Sequence, residues 1–488
     1  MIYKYYGPPG TGKTYRLINR ARAYVKKYKT PLDRIGYFAF TKKAADEAKA
    51  RMPFENKKLK YFKTLHALAF ECIKIDNDLR ISQDDIMQPY HYDEFGKKLN
   101  IHVKFFDRYN TNNNDGSFYL GFENIYFQII QRAFNKCIDL KEEFNLEEYD
   151  PKEINWETLN YINKNLLNYK KVKHKYEFND MIKILTDQPE NIPEFDVIFI
   201  DEAQDLSPLQ WKLYDVLKTK TKDMYLAGDD DQAIFAWAGA DVKRFIEEPA
   251  KEKTLIYSKR ISKAIQEESK IAIDNIQGIK RNKTYHPRNF KGVCEEIYTI
   301  DEIDLTKGKW LILARTISKL DKIQNMLIEK GLYYQNNKGK SIKVSFYNSI
   351  KNYNEWCNGK KLSEEQVKEI KDYTGDVEWN KNQNWFQAFK IMDAEEEKQK
   401  EYFVRLFENK EDLDQEARIW TSTIHAFKGG EKDNVILCLD LGNKIIKGMN
   451  QSQDKADEEH RVWYVAYTRA KNNLYKFKIN KTRRTYPL

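Results

Sequence analysis

The chain has 488 residues, with 84 lysines and arginines against 74 aspartates and glutamates, giving a formal net charge of +10. With 32% charged and 14% aromatic residues it is excluded from the disordered class, and the length gives a prior of about three domains. Its basic balance suits an anionic partner such as nucleic acid, and equally a lysine-rich soluble protein. Cys72, Cys137, Cys294, Cys357 and Cys438 are odd in number and scattered, which argues against a disulfide framework or a zinc site. No apolar run reaches membrane-spanning length and no signal segment opens the chain. The expectation is a soluble cytoplasmic protein with no membrane partner.

In chain order, Ile2–Tyr6 reads as a strand, Gly7-Pro8-Pro9-Gly10-Thr11-Gly12-Lys13-Thr14 as a glycine-rich loop, and Tyr15–Ile18 as the opening of a helix. Arg34–Phe40 reads as a strand and Lys42–Met52 as a helix. From Asn77 to about 175 the texture is helical, polar and aromatic, broken by the loop Asn110–Gly116. Val197–Ile200 is a short buried-strand run ending in Asp201-Glu202, and Tyr225–Asp229 repeats the strand-then-acid design. A second α/β block follows, with strands at Trp310–Ala314, Ile419–Thr423 and Asn434–Asp440, and helices at Ser318–Lys330, Asp393–Lys410 and Glu458–Lys471, before a basic tail. The pattern predicts an α/β protein with two parallel-sheet cores, each carrying a mainly helical insertion.

Gly7–Thr14 fits GxxxxGK[ST] between a strand and a helix N-terminus. Glycines there let successive N–H groups converge on one anion. Lys13 reaches the β- and γ-phosphates, and the Thr14 hydroxyl can ligate Mg²⁺. Gly7, Pro8, Gly10, Thr11 and Gly12 complete the cradle for ATP or GTP. Such a loop needs an acid to order the metal and a group to orient water. Asp201 and Glu202, after their apolar run, are the candidates.

Further segments extend the pattern. They are Phe40-Thr41-Lys42-Lys43-Ala44-Ala45, Thr64-Leu65-His66-Ala67, Asp201–Asp205, Gly228–Trp237, Leu255–Ser262, Thr423–Glu431 and Tyr464–Ala470. In that order, after the phosphate loop, the series resembles motifs Ia to VI of the UvrD/Rep/PcrA-type superfamily 1 DNA helicases. The resemblance implies two RecA-like P-loop NTPase lobes: residues 1–76 with 176–250, and 251–334 with 418–488. Residues 77–175 and 335–417 would be the accessory insertions.

The resemblance also implies roles. Lys13, Asp201, Glu202, Gln232, Arg260 and Arg469 would be catalytic, with Gln232 sensing the γ-phosphate and the two arginines acting from the second lobe. Glu431 would accept from the ribose. Phe40, Thr41, Thr64, His66, Phe235, Trp237, His425 and Lys428 would lie along single-stranded DNA. Aromatic stacking suits any base; Phe40 reads equally well as core. Implied cofactors are ATP and Mg²⁺. Implied partners are single-stranded DNA and duplex junctions, met by a monomer moving 3′→5′ in replication, repair or recombination.

The chain departs from the pattern in places. With Met1 so close to the loop, the helix whose glutamine reads adenine in that family is expected to be missing. Tyr15 follows Thr14 where arginine is usual, and Lys259 precedes Arg260 where tyrosine is usual. Tyr15 or Tyr257 is therefore expected to stack on the base, with loose nucleotide selectivity. Trp237-Ala238-Gly239-Ala240 lacks the arginine that often follows the tryptophan. Small insertions, no nuclease-like acidic cluster, and richness in Lys, Asn, Ile and Tyr fit an AT-rich, phage-type genome. An RNA helicase, or a nucleotide-gated DNA-binding factor that displaces proteins without unwinding, remain the alternatives.

Overall fold

In the computed structural model, strand β1 (Ile2–Tyr6) lies between β7 (Thr221–Gly228) and β8 (Lys251–Thr254), parallel to both. The structure describes residues 1–75, 79–103, 124–147, 149–152, 154–390, 393–479 and 484–486. The expected loop at Asn110–Gly116 and the boundary at Asn77 lie outside the described residues. With β2 (Ile35–Phe38), β3 (Phe62–Lys63) and β6 (Phe195–Ile200), the first sheet has the order β3-β2-β6-β7-β1-β8, parallel throughout. A small antiparallel ribbon pairs β4 (Lys74–Ile75) with β5 (Leu79–Arg80).

Both faces of the first sheet are covered, as a parallel sheet requires. Because side chains alternate along a strand, Tyr6, Phe38, Ile198, Ile200, Met224 and Leu226 fill one core. Their neighbours Tyr5, Tyr37, Val197, Phe199, Tyr225 and Ala227 fill the other. The first insertion has its own aromatic–aliphatic core, including Tyr92, Phe95, Phe127 and Ile162, contributed by helices Pro89–Leu99, Ile125–Lys136 and Trp156–Lys173.

The second sheet runs β12-β11-β13-β10-β14-β15-β9. Its strands are β9 (Val293–Ile297), β10 (Trp310–Ala314), β11 (Tyr334–Asn336), β12 (Gly339–Lys340), β13 (Ile419–Thr423), β14 (Lys432–Cys438) and β15 (Ala470–Phe477). All its pairings are parallel except β11 with β12. The second insertion packs helices Val344–Cys357, Glu364–Thr374 and Ala394–Glu408 around Phe346, Tyr353, Phe389 and Phe403.

The chain divides into two compact units, Met1–Gly292 with Lys447–Thr468, and Val293–Ile446 with Arg469–Leu488. The boundary expected at residue 250 falls inside the first of these units. Strand β8 pairs with β1, and the Leu255 N–H continues onto the Tyr6 carbonyl at 2.7 Å. Asp457, on helix Gln453–Tyr467, accepts the N–H groups of Gln277 and Gly278. These bonds hold residues 251–292 in the first unit, so Tyr257 and Arg260 belong to the same unit as the phosphate loop. The helix expected to run to Lys471 ends at Tyr467, and Ala470 starts β15. Its residues Asn472-Asn473-Leu474-Tyr475-Lys476-Phe477 fall in the expected basic tail, yet Leu474 and Phe477 are buried between β14 and β9.

Lys4, in the middle of β1, is fully buried. Its ammonium donates to the carbonyls of Glu248 (2.6 Å) and Ile246 (3.1 Å), to the Tyr6 hydroxyl (3.2 Å) and to Glu252 on β8 (3.4 Å). Burial lowers its pKa against the pull of Glu252. Lys4→Met removes the one donor these acceptors share, and should destabilise the first unit by about 3 kcal/mol in urea unfolding.

Candidate nucleotide site and its polar network

The phosphate loop leaves β1 and enters helix Lys13–Tyr28. Gly10 and Gly12 have φ of 75° and 85°, the left-handed region in which a side chain is strained. Gly10 is also closed in: a Cβ there would lie 2.3 Å from the Arg260 Cβ and 2.9 Å from the Arg260 nitrogen. The contact arises because Ser258–Arg260 lies against the loop. The Ser258 hydroxyl donates to the Pro9 carbonyl at 2.7 Å, and the Lys259 N–H to the Gly10 carbonyl at 2.9 Å. That segment is held in turn by His286, whose carbonyl accepts from the Ser258 N–H and whose N–H donates to Ile256. Lys13 is buried, its ammonium on the Gly7 carbonyl at 2.7 Å.

At the end of β6 the Thr14 hydroxyl donates to Asp201 Oδ2 at 2.6 Å, and the buried Tyr37 hydroxyl donates to the same oxygen at 2.9 Å. Burial pushes Asp201 up to about 6, with the Glu202 charge adding and the two hydroxyls opposing. A hydroxyl and a carboxylate in contact, beside a loop of N–H donors, are hard oxygen ligands of the kind Mg²⁺ takes. Thr14 and Asp201 therefore fit that ion. Glu202 has a left-handed backbone, φ 55°, unusual for a residue with a side chain. Its carboxylate accepts from Gln204 Nε2 at 2.6 Å.

Gln204 is fully buried and links two strand ends. Besides Glu202 it donates to Asp205 (3.1 Å), and its Oε1 accepts the Asp229 N–H at 3.0 Å. Asp229, at the end of β7, accepts from Gln232 Nε2 at 2.6 Å and from the Lys283 ammonium at 2.7 Å. Lys283 also contacts Asp230 and reaches Asp231 at 2.8 Å. Burial alone would raise Asp229, yet Lys283 and Lys13 hold it below the usual range. Asp231, more weakly compensated, is pushed up to about 7 by burial. Among the described residues these three aspartates are the one trio close enough to ligate an ion, their oxygens within 4.8 Å. The Lys283 side chain, only 2% exposed, occupies that position. Arg461, from helix Gln453–Tyr467, donates to the Asp230 carbonyl at 3.2 Å.

Three residues expected along nucleic acid come together. The Phe40 and Phe235 rings stack with centroids 5.0 Å apart, and Trp237, 42% exposed, lies 6.3 Å from Phe235. Thr41 is exposed and caps helix Lys42–Ala50 by accepting the Ala44 N–H. Thr64 and His66 are buried: Thr64 caps helix Leu65–Cys72, and His66 Nε2 lies 3.3 Å from Asn179 Oδ1. Tyr15 and Tyr257 are exposed, the latter stacked on His286 at 5.3 Å. In the second unit, Arg469 is buried and donates to the Gly430 carbonyl at 3.0 Å. Glu431 there lies 3.3 Å from Lys471, and the Lys428 N–H donates to the His425 carbonyl at 3.3 Å.

Tyr37, Gln204, Ser258, Lys283 and Arg461 are the site residues that sequence reading missed. Gln204 had a signal, being a polar residue inside the Asp201–Asp205 motif. Lys283 had none, because it stands in a stretch as basic as much of the chain.

A phosphate loop followed by strand-end acids, on a parallel sheet covered on both faces, defines a P-loop nucleoside triphosphatase fold. The sequence profile of the UvrD/REP helicase N-terminal domain matches residues 5–253, and the chain belongs to that family. It is 24% identical over 515 aligned residues to F-box DNA helicase protein 1 of Schizosaccharomyces pombe, covering 95% of this chain and 54% of that protein. A probable DNA helicase II homolog of Mycoplasma genitalium is 27% identical, over 48% of this chain and 34% of that protein. The putative ATP-dependent DNA helicase YjcD of Bacillus subtilis is 24% identical, over 48% and 30%. The chain thus spans about half, or less, of these relatives' length. Among the described residues no helix is long and apolar enough to cross a membrane.

Gly10→Ala should abolish nucleotide binding, because strain and the collision with Arg260 both displace the loop; equilibrium binding of a fluorescent ATP analogue checks this. His66 predicts a pH dependence. Burial pushes its pKa down to about 4 from an ordinary 6.5, partly opposed by Asn179. Protons therefore bind the unfolded chain more readily, so this contribution to stability is complete above about pH 6.5 and is lost as pH falls toward 4. Unfolding midpoints of His66→Gln should fall less between pH 6.5 and 4 than those of the wild type.

Proposed function

We propose that this chain is an ATP-dependent DNA helicase or translocase that moves on single-stranded DNA. The observation that carries the reading is the course of one segment, Asp229–Trp237. It starts on the polar network joined to Glu202 and ends in the Phe40–Phe235–Trp237 aromatic strip. A shift at the nucleotide end has a short covalent route to a surface suited to stacking bases. The relatives' names, all DNA helicases, support the same reading.

In this proposal the loop N–H groups and Lys13 bind the ATP phosphates. Thr14 and Asp201 would hold Mg²⁺, which would supply neutralisation of the phosphate charge. Glu202 takes the proton of the attacking water, its carboxylate aimed by Gln204. Gln232 meets the γ-phosphate from its anchor on Asp229. Arg260, packed against the loop, contributes a guanidinium to the charge of the transferring group, and Arg469 a second. Tyr15 or Tyr257 stacks on the base, and Glu431 accepts from the ribose. Phe40, Phe235 and Trp237 stack on DNA bases, with Thr41, Thr64, His66, His425 and Lys428 along the strand.

The chain is further proposed to act as a monomer in the cytoplasm, at single strands and duplex junctions, moving 3′→5′ in replication, repair or recombination. ATP hydrolysis is expected to rise strongly with single-stranded DNA and little with RNA. Glu202→Gln should lower the stimulated rate about 100-fold or more while retaining ATP binding. Stimulation by RNA alone would move the function to RNA, and stimulation by neither would remove the motor reading.

A further inference from the structure

Lys283 is placed as few lysines are. Its ammonium lies among the carboxylates of Asp229, Asp230 and Asp231, with its side chain 2% exposed. The neighbouring backbone joins the same cluster: the Arg281 N–H donates to Asp230 Oδ2 at 2.8 Å, and the Arg281 guanidinium lies 4.2 Å from the Tyr6 ring centroid and 2.5 Å from Glu252. Residues 281–283 are thus strapped to the end of β7 and to β1 and β8.

We propose that Lys283 is a positioning residue for the Gln232 side chain, acting as a built-in cation where three carboxylates converge. Asp229 is the intermediary. Lys283 grips Oδ1, Gln232 Nε2 donates to Oδ2, and Gln204 fixes the Asp229 backbone N–H. A carboxylate bound at one oxygen and at its own backbone has little freedom to rotate, so the amide donating to its other oxygen is held in one orientation. A buried carboxylate without that ammonium would repel its two neighbours and turn toward water. The Gln232 amide would then lose its anchor while the phosphate loop, on a different strand, stayed intact. The proposal rests on the reading that Gln232 meets the γ-phosphate. It predicts a loss in turnover with ATP affinity preserved.

Lys283→Arg tests it, since arginine keeps the charge but cannot place one compact ammonium among three carboxylates. With saturating single-stranded DNA, kcat for ATP should fall about tenfold or more, with ATP affinity, measured directly by titration, within about twofold of wild type. In a Gln232→Ala background the same change should lower kcat less than about twofold, because the group it positions is gone. Should Lys283→Arg not fold, the pair Lys283→Gln with Asp231→Asn removes one charge of each sign and takes its place in the cycle. A lowered melting temperature with kcat and affinity unchanged would make Lys283 merely structural and overturn the proposal, as would additive losses in the double variant. Gln232→Ala with unchanged kcat would overturn the γ-phosphate reading itself, whereas a loss in Gln232→Ala without one in Lys283→Arg would overturn only the role of Lys283.

Discussion

Asp229 stands at the carboxyl end of β7, without solvent exposure, and its bonds decide where its neighbours can be. Its backbone N–H reaches Gln204, one side-chain oxygen takes Gln232 and the other takes Lys283. Three carboxylates facing one ammonium are a high-stakes arrangement, since a buried charge left without its partner costs several kcal/mol. The residues around it are therefore held as a set. Gln204 extends the set to Glu202 and Arg461 extends it to helix Gln453–Tyr467, so groups far apart in sequence share one rigid reference point.

A second constraint acts on the phosphate loop. A loop of glycines is free to adopt many shapes, and here one shape is chosen by packing Ser258–Arg260 against it, with two hydrogen bonds back to Pro9 and Gly10. The glycine-rich loop and the Arg260 backbone packed on it are thereby parts of one assembly. The parallel sheet beneath holds both, because β1 and β8 are adjacent strands.

Much of this was legible in the sequence. The strands Trp310–Ala314 and Ile419–Thr423 have the expected ends, since continuous apolar or β-branched runs between polar flanks leave little choice. The phosphate loop and its acids were legible because their chemistry demands specific residue types at fixed spacing. The allocation of residues 251–292 was not legible, because strand pairing between β8 and β1 is a long-range event that Lys-Glu-Lys-Thr does not announce. Strand β15 hid for a similar reason, having only Leu474 and Phe477 as apolar anchors late in a polar run. Lys283 and Arg461 were invisible because a buried cation is recognisable only once its acceptors, the carboxylates around Lys283 and the backbone carbonyls around Arg461, are in place. The aromatic residues Phe40, Phe235 and Trp237 were legible as candidates, but their grouping needed the fold.

The burial of particular amines has a practical side. Lys4, Lys13 and Lys283 are enclosed, whereas lysines such as Lys222 and Lys307 have side chains that are 79% and 85% exposed. An amine-reactive dye or a surface-coupling reagent would meet the outer lysines first and leave the enclosed ones unmodified. The protein can therefore be tethered or fluorescently tagged through its abundant surface lysines, for work on individual molecules, without chemical damage to the amines enclosed in the first unit.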